Sequence, residues 1–214
     1  SFPKTLHPMT QFSIATAALN HDSKFAAAYS QGIKKTEYWV PTLEDSLNLI
    51  AKLPSVAARI YYNVYGKGDA TQKINPEMDL IENFSHQLGF GSSEGLTDYL
   101  RLYMTVHTDH EGGNVSAHTT HLVGSALSDP YLAYSAGLDG LAGPLHGLAN
   151  QEVLNWALEF EREVGQNPTD QQIVDQLWAT LKSGRVVPGY GHAVLRQPDP
   201  RFVALSQFCE TRQE

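Results

Sequence analysis

The sequence predicts an all-α fold built as two helical bodies. Apolar residues recur at helical spacing through most of the 214 residues, and runs of alternating β-branched residues are nearly missing. Glycine punctuation also gathers between Gly140 and Gly147, where a hinge is expected. The bodies are placed at 1–147, part of a larger domain, and 148–214, the first part of a smaller one.

Each element has its own signal. Met9 to Leu19 reads as an Ala-rich helix and Ser23 to Ile33 as another. Leu43 to Leu53 sets Leu43, Leu47, Ile50 and Ala51 on one face, and Pro54 is expected to close it. Val56 to Tyr65 follows, then the turn-rich Gly66-Lys67-Gly68-Asp69. Leu80 to Leu88, Leu96 to Val106 and Val115 to Ala126 are further helices. Ser128-Asp129-Pro130 supplies a cap with proline at the first helical position and starts a helix toward Leu138. Asn150 to Val164 carries Val153, Leu154, Ala157 and Leu158 at the helical period, and Asn167-Pro168-Thr169-Asp170 caps Gln171 to Leu181.

Composition narrows the function classes. At 42% hydrophobic and 18% charged, the chain has the apolar content of a packed core. The net charge of −8, with only 15 basic residues, argues against non-specific binding to nucleic acid or acidic membrane. A local basic pocket for a small anion remains compatible with it. Cys209 is the only cysteine, so no internal disulfide forms. No apolar run approaches the ~20 residues that span a bilayer. The start at Ser1-Phe2-Pro3 shows no leader pattern, and the expectation is a partial chain, incomplete at both ends.

Three glycine-punctuated segments hold the histidines of interest: His107-Thr108-Asp109-His110-Glu111-Gly112-Gly113-Asn114, continuing to His118 and His121; Gly143-Pro144-Leu145-His146-Gly147; and Val186-Val187-Pro188-Gly189-Tyr190-Gly191-His192. Glycine beside histidine lets the backbone approach a ligand closely. The spacings His107-x2-His110 and His118-x2-His121 superficially suit zinc, but no cysteine lies nearby and two of these histidines fall in a predicted helix. Capping or packing is the expected role of His107, His118 and His121, and no metal is expected.

Other chemistries fit less well. Cys209 sits in a polar terminal helix without a flanking glycine loop, no Gly-x-Ser-x-Gly elbow exists, and Gly66-Lys67-Gly68 lacks the spacing of a phosphate loop. What remains is histidine as a hydrogen-bond donor to a carbonyl or oxyanion, with Arg196 and Arg201 as clamps for carboxylate or phosphate or as plain solvated cations.

The segments Asp109 to His118, Gly140 to Gly147 and Pro188 to His192 closely resemble the citrate synthases of the eukaryotic, mitochondrial type, which include 2-methylcitrate synthases. The resemblance runs from Leu6-His7-Pro8-Met9 to about Arg201. It implies condensation of acetyl-CoA with oxaloacetate to citrate and CoA through a thioester enolate. The alternatives are propionyl-CoA as the acyl donor, or a non-catalytic helical fragment or dimerisation module.

By the same resemblance, His146 donates to the thioester carbonyl and His192 polarises the ketone. His110, His192 and Arg201 hold oxaloacetate. Leu145, Val186, Val187, Gly189, Tyr190 and Arg196 receive CoA, and Lys35 stands where a second phosphate-binding arginine is expected. The base, an aspartate, would lie beyond Glu214. The resemblance also implies no permanent cofactor, a mitochondrial matrix location, domain closure over oxaloacetate, and a homodimer for which Leu96 to Val106 and Val115 to Ala126 are candidate surfaces. Chemistry agrees with these roles: enolising a thioester needs a base and an oxyanion donor, and a neutral imidazole donates without burying another cation.

Overall fold

In a computed structural model, which describes residues 2–66, 73–108, 111–192 and 194–212, helix ends are closed by side chains that the local sequence supplies. Helix α1 (Pro8–Ala18) starts with Pro8 and takes a cap from His7, whose ring accepts from the Met9 N–H. Ser23 caps α2 (Lys24–Ser30) and Asp79 caps α4 (Leu80–Gln87). Ser93 and Asn114 do the same for α5 (Glu94–Val106) and α6 (Val115–Gly124). Asp129 accepts from the Tyr131 and Leu132 N–H groups at the start of α7 (Pro130–Leu141). After α8 (Ala149–Val164), Thr169 and Gln172 form a reciprocal capping box on α9 (Asp170–Lys182). Asp199 caps α10 (Pro200–Thr211). All ten are α-helices, and no strand occurs among the described residues.

The expected break at Pro54 does not occur. Helix α3 runs unbroken from Trp39–Tyr65 with Pro54 inside it. An interior proline costs about 3 kcal/mol and one backbone hydrogen bond, and tertiary packing offsets that: α1, α2 and α4 all lie on α3. The apolar face read from the sequence is not the buried one. Leu43, Leu47 and Ile50 are 50%, 58% and 56% exposed, whereas Pro41, Asp45, Leu49, Ala58 and Ile60 are buried.

Asp45 explains the rotation of that face. Its fully buried carboxylate accepts from the Ser23 hydroxyl (2.7 Å) and from the Lys24 and Phe25 N–H groups (2.8 and 3.0 Å). It thereby closes the N-terminus of α2 from a neighbouring helix, and the helix dipole there favours its charge. Helix α1 likewise buries polar residues. Asn63 donates to the Gln11 side-chain oxygen at 2.8 Å, and Ser13 donates to Asp139 of α7.

Backbone contacts divide the chain into two units: Ser1–Gly140 with Asp199–Glu214, and Leu141–Pro198. The switch falls between Gly140 and Leu141, and residues 199–214 group with the first unit. In the first unit α6 and α7 approach closely: a Cβ on Gly137 would meet Thr120 Oγ1 and stand 2.9 Å from the Ser116 carbonyl. Gly95 in α5 has open space where a Cβ would go. Gly137→Ala should therefore destabilise the chain by roughly 1–3 kcal/mol, and Gly95→Ala should stabilise it by roughly 0.4–1 kcal/mol. Urea unfolding midpoints of both variants check the pair; equal shifts in one direction would contradict the packing described.

Candidate active site

Two of the expected histidines, His146 and His192, belong to the second unit, and the segments that carry them both adjoin α8. The turn at Gly143–Leu148 leads straight into it, with the His146 and Leu148 N–H groups both donating to the Gly143 carbonyl at 3.0 and 3.3 Å. His146 is half-buried there, and Leu145 beside it is fully exposed. The second loop returns to α8 at Val153, where a Cβ on Gly189 would come within 3.0 Å of Val153 Cγ2. Gly189 and Gly191 have φ of +82° and +88°, a region that strains side-chain-bearing residues, so this loop needs glycine at both positions.

The loop leaves His192 exposed and chemically defined. Its Nδ1 accepts from the Val194 and Leu195 N–H groups, both at 3.0 Å. A ring nitrogen that accepts two backbone donors carries no proton, so in the neutral ring the proton sits on Nε2. His192 therefore presents an N–H donor outward. That is the arrangement needed to polarise a carbonyl oxygen.

The residues expected to receive CoA differ in burial. Val186, Tyr190 and Leu145 are exposed, whereas Val187 is buried and contributes to packing. Val186 and Pro188 border a cavity of about 370 Å³ with Trp156, Glu159 and Arg185, the last two 3.8 Å apart as an ion pair. Arg196 donates to the His192 and Leu195 carbonyls at 2.8 and 3.2 Å, which ties its guanidinium to the same loop. Lys35 opens a 3-10 turn, Lys35–Glu37, in the first unit and is exposed.

Arg201 lies in the first unit, in the first turn of α10. Its guanidinium grips Asp199 from one edge: Nε donates to both carboxylate oxygens at 3.1 Å and Nη2 to Oδ2 at 2.7 Å. These bonds, then the Arg201 N–H bonded at 2.9 Å, hold the Asp199 carboxyl down at about 2, against the opposing effect of burial. Sequence reasoning missed Asp199, although Asp199-Pro200 repeats the cap-then-proline signal read at Asp129-Pro130. His110 falls outside the described residues.

Of the histidines expected to cap or pack, His107 has such a role, whereas His118 and His121 are exposed on α6. His107 terminates α5, pairs its Nδ1 with the Tyr103 carbonyl at 2.6 Å and stacks on the Tyr103 ring, 4.2 Å between centroids. The His121 ring packs near Gly112. Among the described residues no group of three His, Cys, Asp or Glu side chains could hold a metal ion. A cavity of about 880 Å³ in the first unit is lined by Lys4, Gln11, Arg59 and Tyr62 and by none of the expected site residues.

A family profile described as "Citrate synthase, C-terminal domain" matches residues 1–214. The chain is 59% identical to the 2-methylcitrate synthase, mitochondrial, of Gibberella moniliformis, covering 100% of this chain and 46% of that protein. It is 60% identical to the citrate synthase, mitochondrial, of Neurospora crassa, covering 97% of this chain and 44% of that protein. The chain thus spans a little under half the length of these curated relatives. Among solved structures, the citrate synthase from Pyrobaculum aerophilum superposes with a TM-score of 0.80 at 27% identity, covering 97% of this chain and 50% of the other. The Thermotoga maritima citrate synthase gives 0.73 at 23% identity over 99% and 51%, a likeness of fold.

The depressed Asp199 carboxyl predicts a pH effect of definite sign. A folded-state value of about 2, below the unfolded 3.8, stabilises the native state above pH 4 and is lost as pH falls from about 4 to 2. Amide-exchange protection across α10 should drop through that window in the native chain, and much less so in Asp199→Asn. An identical drop in both would show that another carboxylate governs it.

Proposed function

The chain belongs to the citrate synthase family, and on that premise we propose that residues 1–214 form the acyl-CoA- and oxaloacetate-facing portion of an enzyme that condenses acetyl-CoA with oxaloacetate. The observation that carries this reading is the outward Nε2–H of His192, set by its backbone-bound Nδ1. Alongside it stands the 59–60% identity to enzymes named for the reaction over 97–100% of the chain.

In this reading His146 donates to the thioester carbonyl while the α-proton leaves, so that negative charge on the enolate oxygen is met by a placed donor. His192 Nε2–H polarises the ketone of oxaloacetate, and the enolate carbon attacks that carbonyl carbon. His110 and Arg201 hold the carboxylates of oxaloacetate. Val186, Val187, Gly189 and Tyr190 receive the CoA adenine end, Leu145 also contacts CoA, and Arg196 lies near its phosphate. Thioester hydrolysis then releases CoA. No resident cofactor takes part. The base is an aspartate outside residues 1–214, and the working enzyme is a homodimer in the mitochondrial matrix, a location supported by relatives named as mitochondrial.

A second reading, propionyl-CoA as acyl donor, is supported by the 2-methylcitrate synthase of Gibberella moniliformis at the same level of identity. Comparing kcat/KM for acetyl-CoA and propionyl-CoA in an enzyme of the relatives' full length decides between the two.

Two outcomes test the role assignment. Residues 1–214 expressed alone should show no synthase turnover; measurable turnover would mean that the base lies within them. In the full-length enzyme, His146→Ala should lower kcat about 100- to 1,000-fold, because it removes a donor aimed at charge that develops in the transition state. Arg201→Ala should mainly raise the oxaloacetate KM, because its contact already exists in the ground state. A wild-type rate for His146→Ala would remove that residue from catalysis.

A further inference from the structure

Arg201 is not an isolated cation waiting for a ligand. A guanidinium has two faces that can bind a carboxylate bidentately: the side edge formed by Nε and Nη2, and the end formed by Nη1 and Nη2. Asp199 occupies the side edge with three bonds of 2.7 to 3.1 Å. The Nη1 group has no partner among the described residues, and the Arg201 side chain is 32% exposed. One face is therefore committed to the protein and the other is open.

Asp199 also fixes the base from which the arginine projects. Its Oδ1 accepts from the Arg201 backbone N–H at 2.9 Å and caps α10, so a single carboxylate sets both the helix start and the guanidinium orientation. The electrostatic cost is limited, because the Asp199 charge is shared between the guanidinium and the positive N-terminal end of α10. A Tyr103 ring and the stacked His107 lie on α5, the helix against which α10 packs.

We propose that Asp199 is a positioning residue for oxaloacetate, locking the side edge of Arg201 so that the Nη1/Nη2 end is presented to a substrate carboxylate. The inference rests on Arg201 binding oxaloacetate, as proposed above. Without the lock, the side chain samples several rotamers and must be immobilised when substrate binds. Immobilising a rotamer-rich side chain weakens affinity by roughly 2- to 12-fold.

The test is calorimetric titration of oxaloacetate into the full-length enzyme, with steady-state kinetics alongside, for Asp199→Asn, Asp199→Ser, Arg201→Ala and the double variant Asp199→Asn/Arg201→Ala. Asn and Ser both cap helices, so these variants should fold and keep their melting temperatures within a few degrees. The expected result is weaker oxaloacetate binding, roughly 2- to 12-fold, in both Asp199 single variants, with kcat changed less than twofold. The double variant should bind no worse than Arg201→Ala, since Asp199 acts through Arg201. Unchanged affinity in Asp199→Asn would reduce Asp199 to a cap, and tighter binding would show that it competes with substrate; either overturns the proposal. If Arg201→Ala itself binds oxaloacetate normally, the underlying assignment of Arg201 fails instead.

Discussion

The first unit hangs on one long helix. Helix α3 takes α1, α2 and α4 along its length, so those three find their positions only if α3 stays continuous across Pro54. A helix with an interior proline is a poor helix in isolation, since propagation is interrupted where a hydrogen bond is lost. Its continuity is therefore a tertiary product: Leu49, Ala58 and Ile60, on both sides of Pro54, are buried. Asp45 adds a directional link, because a fully buried carboxylate is tolerable only while Ser23, Lys24 and Phe25 donate to it. Burial of that one charge fixes both the rotation of α3 and the start of α2.

That dependence separates what could be read in the sequence from what could not. Helix starts were legible at Asp129-Pro130 and at Thr169, because a cap is a bond between residues two or three apart and its chemistry is local. The buried face of α3 was not. Leu43, Leu47 and Ile50 form a better apolar stripe than Pro41, Asp45 and Leu49, yet the second set is inside. Periodicity reports which residues share a face; which face is covered depends on neighbours elsewhere in the chain. The polar interior of α1 was hidden for the same reason, since Gln11 and Ser13 are paired by Asn63 and Asp139, 52 and 126 residues away.

The site divides along the same line. The histidine loops stood out because glycine beside histidine is unusual, and the left-handed φ at Gly189 and Gly191 supplies the reason for those glycines. What the motif left unstated is the proton on His192. The bonds from the Val194 and Leu195 N–H groups settle it, and because both donors are backbone groups no residue type at those positions announces them. Asp199 was legible in principle, as a cap before proline. Its second task, gripping the guanidinium two residues on, needed side-chain geometry.

A common device emerges from Arg196 and Arg201. In a chain of net charge −8, any anionic ligand meets an unfavourable background field, so a cation that serves one gains from being held in place rather than left to solvent. Arg196 is anchored on the carbonyls of His192 and Leu195, and Arg201 on the carboxylate of Asp199. Anchoring on carbonyl dipoles leaves the cation its full charge, whereas anchoring on a carboxylate trades part of it for tighter orientation. The two arginines are therefore held in different ways. Arg201 keeps a planar, oriented end face, which matches the geometry of a carboxylate better than it maximises attraction to one.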